Sequence, residues 1–236
     1  MRNTSVPEKI CCERTKLKFQ NPYSKLDKKI PDSSYILEYQ KKNPGHYVLI
    51  LGSGNSPKID PRIVNLDIME SEHVDVIACG TTLPFKAFTF DAVFCHDVLE
   101  HIKQPFIVAS EIIRVTKKNG YMECATPFLF PFHDVPDHYF NFSTSGIQQL
   151  FLGTKLLDVG IGMGPWHAMN NIVGIYKKML KRVYKDPVTP WTEKIRVFII
   201  YRLLSWGMKF NHQTIVLTKN EQNVLASGVY IKSQKI

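Results

Sequence analysis

The chain has no run of about eighteen apolar residues, so no stretch of it reads as a membrane-crossing helix. Its first residues, Met1-Arg2-Asn3-Thr4-Ser5-Val6-Pro7-Glu8, lack the apolar segment of a secretory signal, and a cytoplasmic protein is the expectation. No metal-ligand spacing stands out among the five cysteines, Cys11, Cys12, Cys79, Cys95 and Cys124. Their number is odd, and three sit in or beside strand-like apolar runs, which suits free buried thiols better than a disulfide framework. Internal repeats and low-complexity stretches are absent as well. A single globular domain with additions is what remains.

What is present supports that reading. With 236 residues, 44% hydrophobic and 11% aromatic, the chain can bury a large core. A formal charge of +9 is compatible with an acidic partner such as nucleic acid, a phosphate-bearing substrate or an anionic membrane surface. The lysines are spread along the chain, however. Their densest cluster, Lys177-Lys178-Met179-Leu180-Lys181-Arg182, reads as well as the solvated face of a helix.

From about Tyr47 onward, apolar strand-like runs alternate with helical patterns, the signature of a parallel sheet. The expected strands are Tyr47 to Leu51, Ile63 to Asp67, Val74 to Ala78, Asp91 to Cys95, Gly120 to Ala125, Lys155 to Ile161 and Ser227 to Ile231. The expected helices are Ser33 to Lys42, Phe106 to Val115, Ser145 to Phe151, Met169 to Tyr184 and Thr192 to Lys209. Residues 1–32 are polar and lysine-rich with scattered prolines, and read as an arm on a domain spanning 33–236.

The first chemical feature closes the first strand, in Val48-Leu49-Ile50-Leu51-Gly52-Ser53-Gly54. Glycines there permit a sharp turn and let a ligand approach the main chain. Only twelve residues separate Gly54 from Asp67, and Pro57 and Pro61 lie among them, so the crossover helix must be very short or replaced by a loop. That argues against a helix N-terminus cradling a pyrophosphate, and a cofactor without phosphates loses little. Asp67, at the end of the second strand, can accept hydrogen bonds from both hydroxyls of a ribose, a reading the glycine turn upstream favours over a cap on the turn that follows.

Further along come Leu83-Pro84-Phe85, then Phe90-Asp91-Ala92-Val93 and Val98-Leu99-Glu100-His101-Ile102. In order and spacing these elements resemble the class I S-adenosylmethionine-dependent methyltransferases, specifically the type-11 group often linked to glycan and cell-surface metabolism. The segment Pro127 to Ser143 resembles that group's loop after the fifth strand. The resemblance implies a Rossmann-like α/β fold: a seven-stranded sheet, mostly parallel with an antiparallel last strand, helices on both faces and a helical insertion at about 165–212. It further implies S-adenosyl-L-methionine as cofactor and S-adenosyl-L-homocysteine as product. By matching position, Leu51, Gly52, Ser53 and Gly54 would face the methionine part, Asp67 and Ile68 the ribose, and Cys79, Gly80 and Thr81 the adenine. Cys95 and His96 would floor the site beneath the sulfonium. Glu100 and His101 would open the next helix.

Departures from the family pattern fall at Ile50, Ser56 and Cys79. Ile50 occupies the position where an acidic residue usually precedes the first glycine, and Cys79 aligns with the carboxylate usually found near the adenine amino group. Asp75 could instead turn into the site, though it reads more naturally as a surface residue at a strand start.

Methyl transfer needs the acceptor held in line with sulfur and carbon, and a base only when the acceptor must lose a proton. His133 is the first candidate base and His96 the second; His133, Asp137, His138 and Tyr139 are candidate acceptor-binding residues. Each histidine has the alternative of a loop hydrogen bond or core packing.

Near the carboxyl terminus Ile195, Phe198, Ile199, Leu203 and Trp206 recur at helical spacing beside Lys194, Arg196, Arg202 and Lys209. Such a basic helix can lie on a membrane, pack on the sheet or form a homodimer. The expected function is methyl transfer to a small-molecule, sugar or glycan/lipid-linked acceptor. A noncatalytic scaffold of the same fold is the alternative. A nucleic-acid methyltransferase has only the charge in its favour, because no Asn-Pro-Pro-Tyr-like base clamp is present.

Overall fold

The computed structural model describes residues 34–57, 59–133, 137–214 and 224–236. The expected amino-terminal arm, with Cys11 and Cys12, lies outside the described residues.

Strand β1 (Val48–Leu51) is buried at all four positions, as befits a central parallel strand covered on both faces. It pairs in parallel with β2 (Ile63–Asp67) on one side and β4 (Phe90–His96) on the other. A two-residue β3 (Val76–Ile77) extends the sheet beyond β2, and β5 (Thr116–Pro127) extends it beyond β4. The last strand, β7 (Gly228–Gln234), inserts antiparallel between β5 and β6 (Lys155–Met163). The order is β3-β2-β1-β4-β5-β7-β6, the expected seven-stranded sheet with its reversed final hairpin.

Side chains alternate across β1 and so build two cores. Val48 and Ile50 join Ile63, Ala92 and Phe94 beneath Ile36 of helix α1 (Ser34–Lys42). Leu49 and Leu51 face the larger cluster, closed by Val108, Ala109 and Ile112 of α2 (Pro105–Val115) and Ile147 and Leu150 of α3 (Thr144–Leu150). Full burial of each such side chain contributes roughly 1.5–3 kcal/mol. Proline at the first turn starts α2, and the Ser143 hydroxyl accepts the Gly146 N–H to start α3.

Several expectations need correcting. The third strand spans only two residues, and Asp75 ties its start to β2: the Asp75 N–H donates to the Asn65 carbonyl and its carboxylate accepts the Asn65 N–H. Asp75 therefore serves the sheet edge. Glu100 and His101 do not open α2 but form a separate 3-10 turn, Leu99–His101, because Pro105 disfavours helix at the residue before it. Cys95 and Cys124 are free and buried as expected, whereas Cys79, half-buried just past β3, is disulfide-bonded. Between β6 and β7 lie α4 (Pro165–Lys185) and α5 (Trp191–Thr214), and α5 packs on α4.

Candidate functional site

Neighbouring strands run away from β1 in opposite chain directions, so a crevice opens at its carboxyl end, where Gly52 to Gly54 turn. Gly52 has φ +76°, and a Cβ there would overlap Val98 Cγ2. This position needs glycine for both conformation and packing. Gly54 also has positive φ, but a Cβ on it would meet nothing within 4 Å; it borders open space. The turn is tied to the end of β2. Gly52 and Ser53 donate N–H bonds to the Leu66 carbonyl, and Gly54 N–H donates to Asp67 Oδ2 at 2.8 Å. Asp67 Oδ1 accepts the Met69 N–H at 2.9 Å, so Asp67 does cap the following turn. A carboxylate accepts about four hydrogen bonds, which leaves capacity toward the cleft. Among the described residues no helix lies between β1 and β2, as the proline-broken crossover predicts.

Two clefts meet here. One, of about 480 Å³, is lined by Gly52, Gly54, Asp67, Ile68, Cys79 and Gly80, with Val98 and His101 on its far wall. The other, of about 780 Å³, is lined by Ser53, His96, Glu123, Thr126, Met163 and Tyr230 among others. Leu51, Gly52, Gly54 and Asp97 border both. Of the eleven expected cofactor residues, Thr81 and Cys95 line neither. The Thr81 hydroxyl lies 3.1 Å from Cys79 Sγ. The Cys95 side chain is wholly buried in the larger core. Ile50 lines the larger cleft with an apolar wall where the family pattern carries charge.

His96 and Glu123 stand side by side on β4 and β5, with His96 Nε2 3.6 Å from Glu123 Oε1. Glu123 also accepts the Tyr121 hydroxyl at 2.5 Å and lies 3.9 Å from Lys232 Nζ. Burial raises the Glu123 pKa, but the neighbouring His96, the hydrogen bond from Tyr121 and the charge of Lys232 outweigh it, leaving the carboxyl below its ordinary value. A carboxylate thus backs the imidazole in the larger cleft. Next to it, Asp97 has φ +53°, an uncommon conformation for a residue with a Cβ, and is open to both clefts while walled by protein. Asp97 is solvent-exposed, and the partial loss of hydration among the surrounding groups raises its pKa, with His96 and His101 opposing. Sequence reading passed over Asp97, although it directly follows His96; Glu123, inside an apolar strand pattern, gave no signal.

The other expected residues gather elsewhere. His133, His138 and His101 form a ring cluster, with centroids 4.9 Å apart for His101 and His133 and 4.3 Å for His133 and His138. His101 Nδ1 donates to the Asp137 carbonyl at 2.5 Å, and burial lowers its pKa against the opposing pull of that carbonyl. Asp137 accepts the Tyr139 hydroxyl, and His138 bonds the Phe140 carbonyl and the Asn141 side chain. His133 lines neither cleft. Below them Glu100 is 1% exposed, and neither of its carboxylate oxygens has a hydrogen-bond partner. Burial, then Asp97, pushes its pKa up to about 8. Glu100, His101 and His133 bring their ligand-type atoms within 4.8 Å of one another, a juxtaposition the sequence spacing did not announce. With the Nδ1 atoms of His101 and His133 both turned to loop carbonyls, the cluster holds the loop after β5 against the 3-10 turn.

Residues 58–124 match the family model of a methyltransferase domain. A proposed methyltransferase from Bacillus halodurans superposes with a TM-score of 0.50 at 16% identity, over 86% of this chain and 98% of that one. The fold is a Rossmann-like methyltransferase fold. A proposed sarcosine dimethylglycine methyltransferase from Galdieria sulphuraria follows at TM-score 0.49 and 13% identity, over 86% of this chain and 84% of the other. Phosphoethanolamine N-methyltransferase 2 of Haemonchus contortus, solved with S-adenosylhomocysteine, gives 0.46 and 13%, over 86% and 52%. A search of curated proteins gives no match. In this methyltransferase fold the matched residues, 58–124, run from the loop before β2 into β5 and so include Asp67, Cys79, His96 and Asp97.

Proposed function

We propose that this chain is an S-adenosylmethionine-dependent methyltransferase whose cofactor spans the two clefts across the Gly52-Ser53-Gly54 turn. The observation that carries the reading is the junction itself: a glycine turn with open space at Gly54 and a carboxylate with spare acceptor capacity at Asp67. The donor set fits a nucleoside without phosphates, since no helix N-terminus follows the turn among the described residues. In this reading Asp67 holds the ribose hydroxyls, the Cys79–Gly80 segment borders the adenine, and the amino-acid end extends past Gly52 toward Asp97.

When bound, the cofactor supplies a methyl group on a sulfonium, already activated for displacement. The chain's part is to hold the acceptor in line, and orientation of this kind supplies several kcal/mol, up to roughly 7–11 in ideal cases. The larger cleft is the acceptor site in this reading. His96, backed by Glu123, is the group within it suited to take an acceptor proton, and it replaces His133 as the first candidate base; such bases typically contribute about 10²–10⁴-fold. His101, His133, Asp137, His138 and Tyr139 position the loop that borders the site. The acceptor class is a small molecule, a sugar or a lipid-linked glycan.

Calorimetric titration with S-adenosylhomocysteine is the test. Saturable binding that weakens in Asp67→Ala supports the reading. An absence of binding at millimolar ligand overturns it in favour of a noncatalytic scaffold, a role compatible with the apolar Ile50 wall and the engaged Cys79.

A further inference from the structure

The α4–α5 hairpin concentrates two properties that the rest of the chain has little of. Between Pro165 and Thr214 lie nine of the thirty basic residues but two of the twenty-one acidic ones, so +7 of the net +9 charge belongs to this unit. One of the two acids, Glu193, is already paired with Arg196 at 2.7 Å. The sequence shows these lysines and arginines scattered over fifty positions; the fold gathers them. Among the described residues, fourteen of the thirty-one exposed large apolar side chains also lie here. On α5, Trp191 is 72% exposed, Trp206 64% and Leu203 61%, with Phe198, Ile199 and Ile195 near one half. Val197 is the only described α5 side chain that is buried. A helix with this much exposed apolar surface, carried on α4, needs a low-polarity environment to cover it.

The charge identifies the cover. Lys177 and Lys181 of α4 lie over the Tyr201 ring of α5, 4.9 and 5.2 Å from its centroid, which sets the basic row of α4 beside the apolar surface of α5. Arg182 and Lys185 continue that row. A second copy of the chain would have to bring one +7 surface against another, and like charges at an interface are costly. A folded acidic protein would satisfy the charge but offers no reason for the exposed tryptophans. An anionic lipid surface satisfies both, taking apolar side chains below the headgroups and lysines and arginines among them. Neither helix is long and apolar enough to cross the bilayer, so the hairpin lies in the interface.

We infer that the α4–α5 hairpin is a docking surface for an anionic bilayer. It is rooted at the larger cleft: Met163 lines that cleft, and α4 begins two residues later at Pro165. Ile172 and Ile175 of α4 also share a cavity with Phe128, Leu129 and Phe130 of the segment after β5. Docking therefore sets the rim of that cleft beside the lipid. That the cleft is an acceptor site rests on the proposed function; the docking itself does not.

The experiment is flotation of the full chain with phosphatidylcholine vesicles, with and without phosphatidylglycerol. Bound protein is expected to rise about tenfold or more with the anionic lipid and to be released by high salt. Arg182→Glu with Lys185→Glu removes the lipid-charge dependence, and Leu203→Ser with Ile199→Ser lowers binding to all vesicles. Both pairs are solvent-exposed, and S-adenosylhomocysteine affinity and melting temperature, measured in parallel, stay at the parent values. Flotation indifferent to phosphatidylglycerol overturns the inference. So does a stable dimer in sedimentation that Leu203→Ser dissociates, or RNA binding that displaces the vesicles. Retained flotation in a protein that binds no S-adenosylhomocysteine would support docking while removing the methyltransferase reading, so the two failures are distinguishable.

Discussion

The Gly54 amide donates to Asp67 Oδ2 at 2.8 Å, joining the turn after β1 to the end of β2 across thirteen positions. Asp67 is therefore both a strut for the glycine turn and, in the proposed function, the acceptor for ribose hydroxyls. Asp67→Ala removes both roles and is expected to weaken S-adenosylhomocysteine binding about ten- to hundredfold, the equivalent of ~1.5–3 kcal/mol for charge-assisted hydrogen bonds. Asp67→Asn keeps one acceptor oxygen, and its loss should be smaller. Titration calorimetry on the two variants reads the order, and equal affinities for parent and Asp67→Ala would remove Asp67 from the site.

Gly52 makes a contrasting prediction, because its reason for being glycine lies in packing. A methyl group there overlaps Val98 Cγ2, and the positive φ adds strain of its own. Gly52→Ala should destabilise the fold by about 2–4 kcal/mol, combining overpacking with the cost of that conformation. Adding Val98→Ala opens room for the methyl and should recover part of the clash while leaving the φ strain. Urea denaturation of the single and double variants measures this coupling, and strict additivity would contradict it.

The sheet was largely legible in the sequence because its strands carry strong local signals, and β2 falls where expected at Ile63–Asp67. Signals failed where a distant residue sets the structure. The third strand spans only Val76–Ile77, and no local pattern at Val74 to Ala78 reports the bond from the Asn65 N–H to the Asp75 carboxylate that ties its start to β2. Likewise Leu83-Pro84-Phe85 is recognisable as a signature, but its physical role is not: Glu111 accepts the Leu83 N–H, while Arg114 donates to the Leu83 and Phe85 carbonyls. In the candidate site, the glycine turn and Asp67 were readable because backbone chemistry favours those residue types there. Glu123 was not, since its partnership with His96 depends on the β4–β5 register. The loop histidines drew attention by residue type alone, and in the fold their rings meet one another.

Cysteine reactivity offers a check on the core. Cys95 and Cys124 face each other across β4 and β5 and are fully buried. The hydrogen bond with Cys124, then burial, raises the Cys95 pKa well above its ordinary value, so the reactive thiolate is scarce at neutral pH. Native protein at about pH 7.5 should leave both thiols unmodified by N-ethylmaleimide, with full reaction after denaturation. Peptide mass spectrometry reads both states, and rapid labelling of the native protein would contradict the packing.

The clamp on Leu83-Pro84-Phe85 carries a pH dependence whose sign follows from the Glu111 environment. Arg114 bonds Glu111 through Nε at 2.6 Å and Nη2 at 2.8 Å, and these bonds, partly opposed by burial, lower the Glu111 pKa from 4.5. A carboxyl with a lowered folded-state pKa contributes stability that is present above its unfolded value. That contribution disappears as pH falls through the folded value. Glu111→Gln should therefore cost about 1 kcal/mol near neutrality, a modest figure because the pair is partly solvent-screened. Below pH 4.5 the gap between parent and variant should narrow, then close once the parent carboxyl is protonated. Urea denaturation from neutral pH down into the acid range measures the gap, and one that stays constant across the range would show that the Glu111 charge contributes nothing to holding the segment.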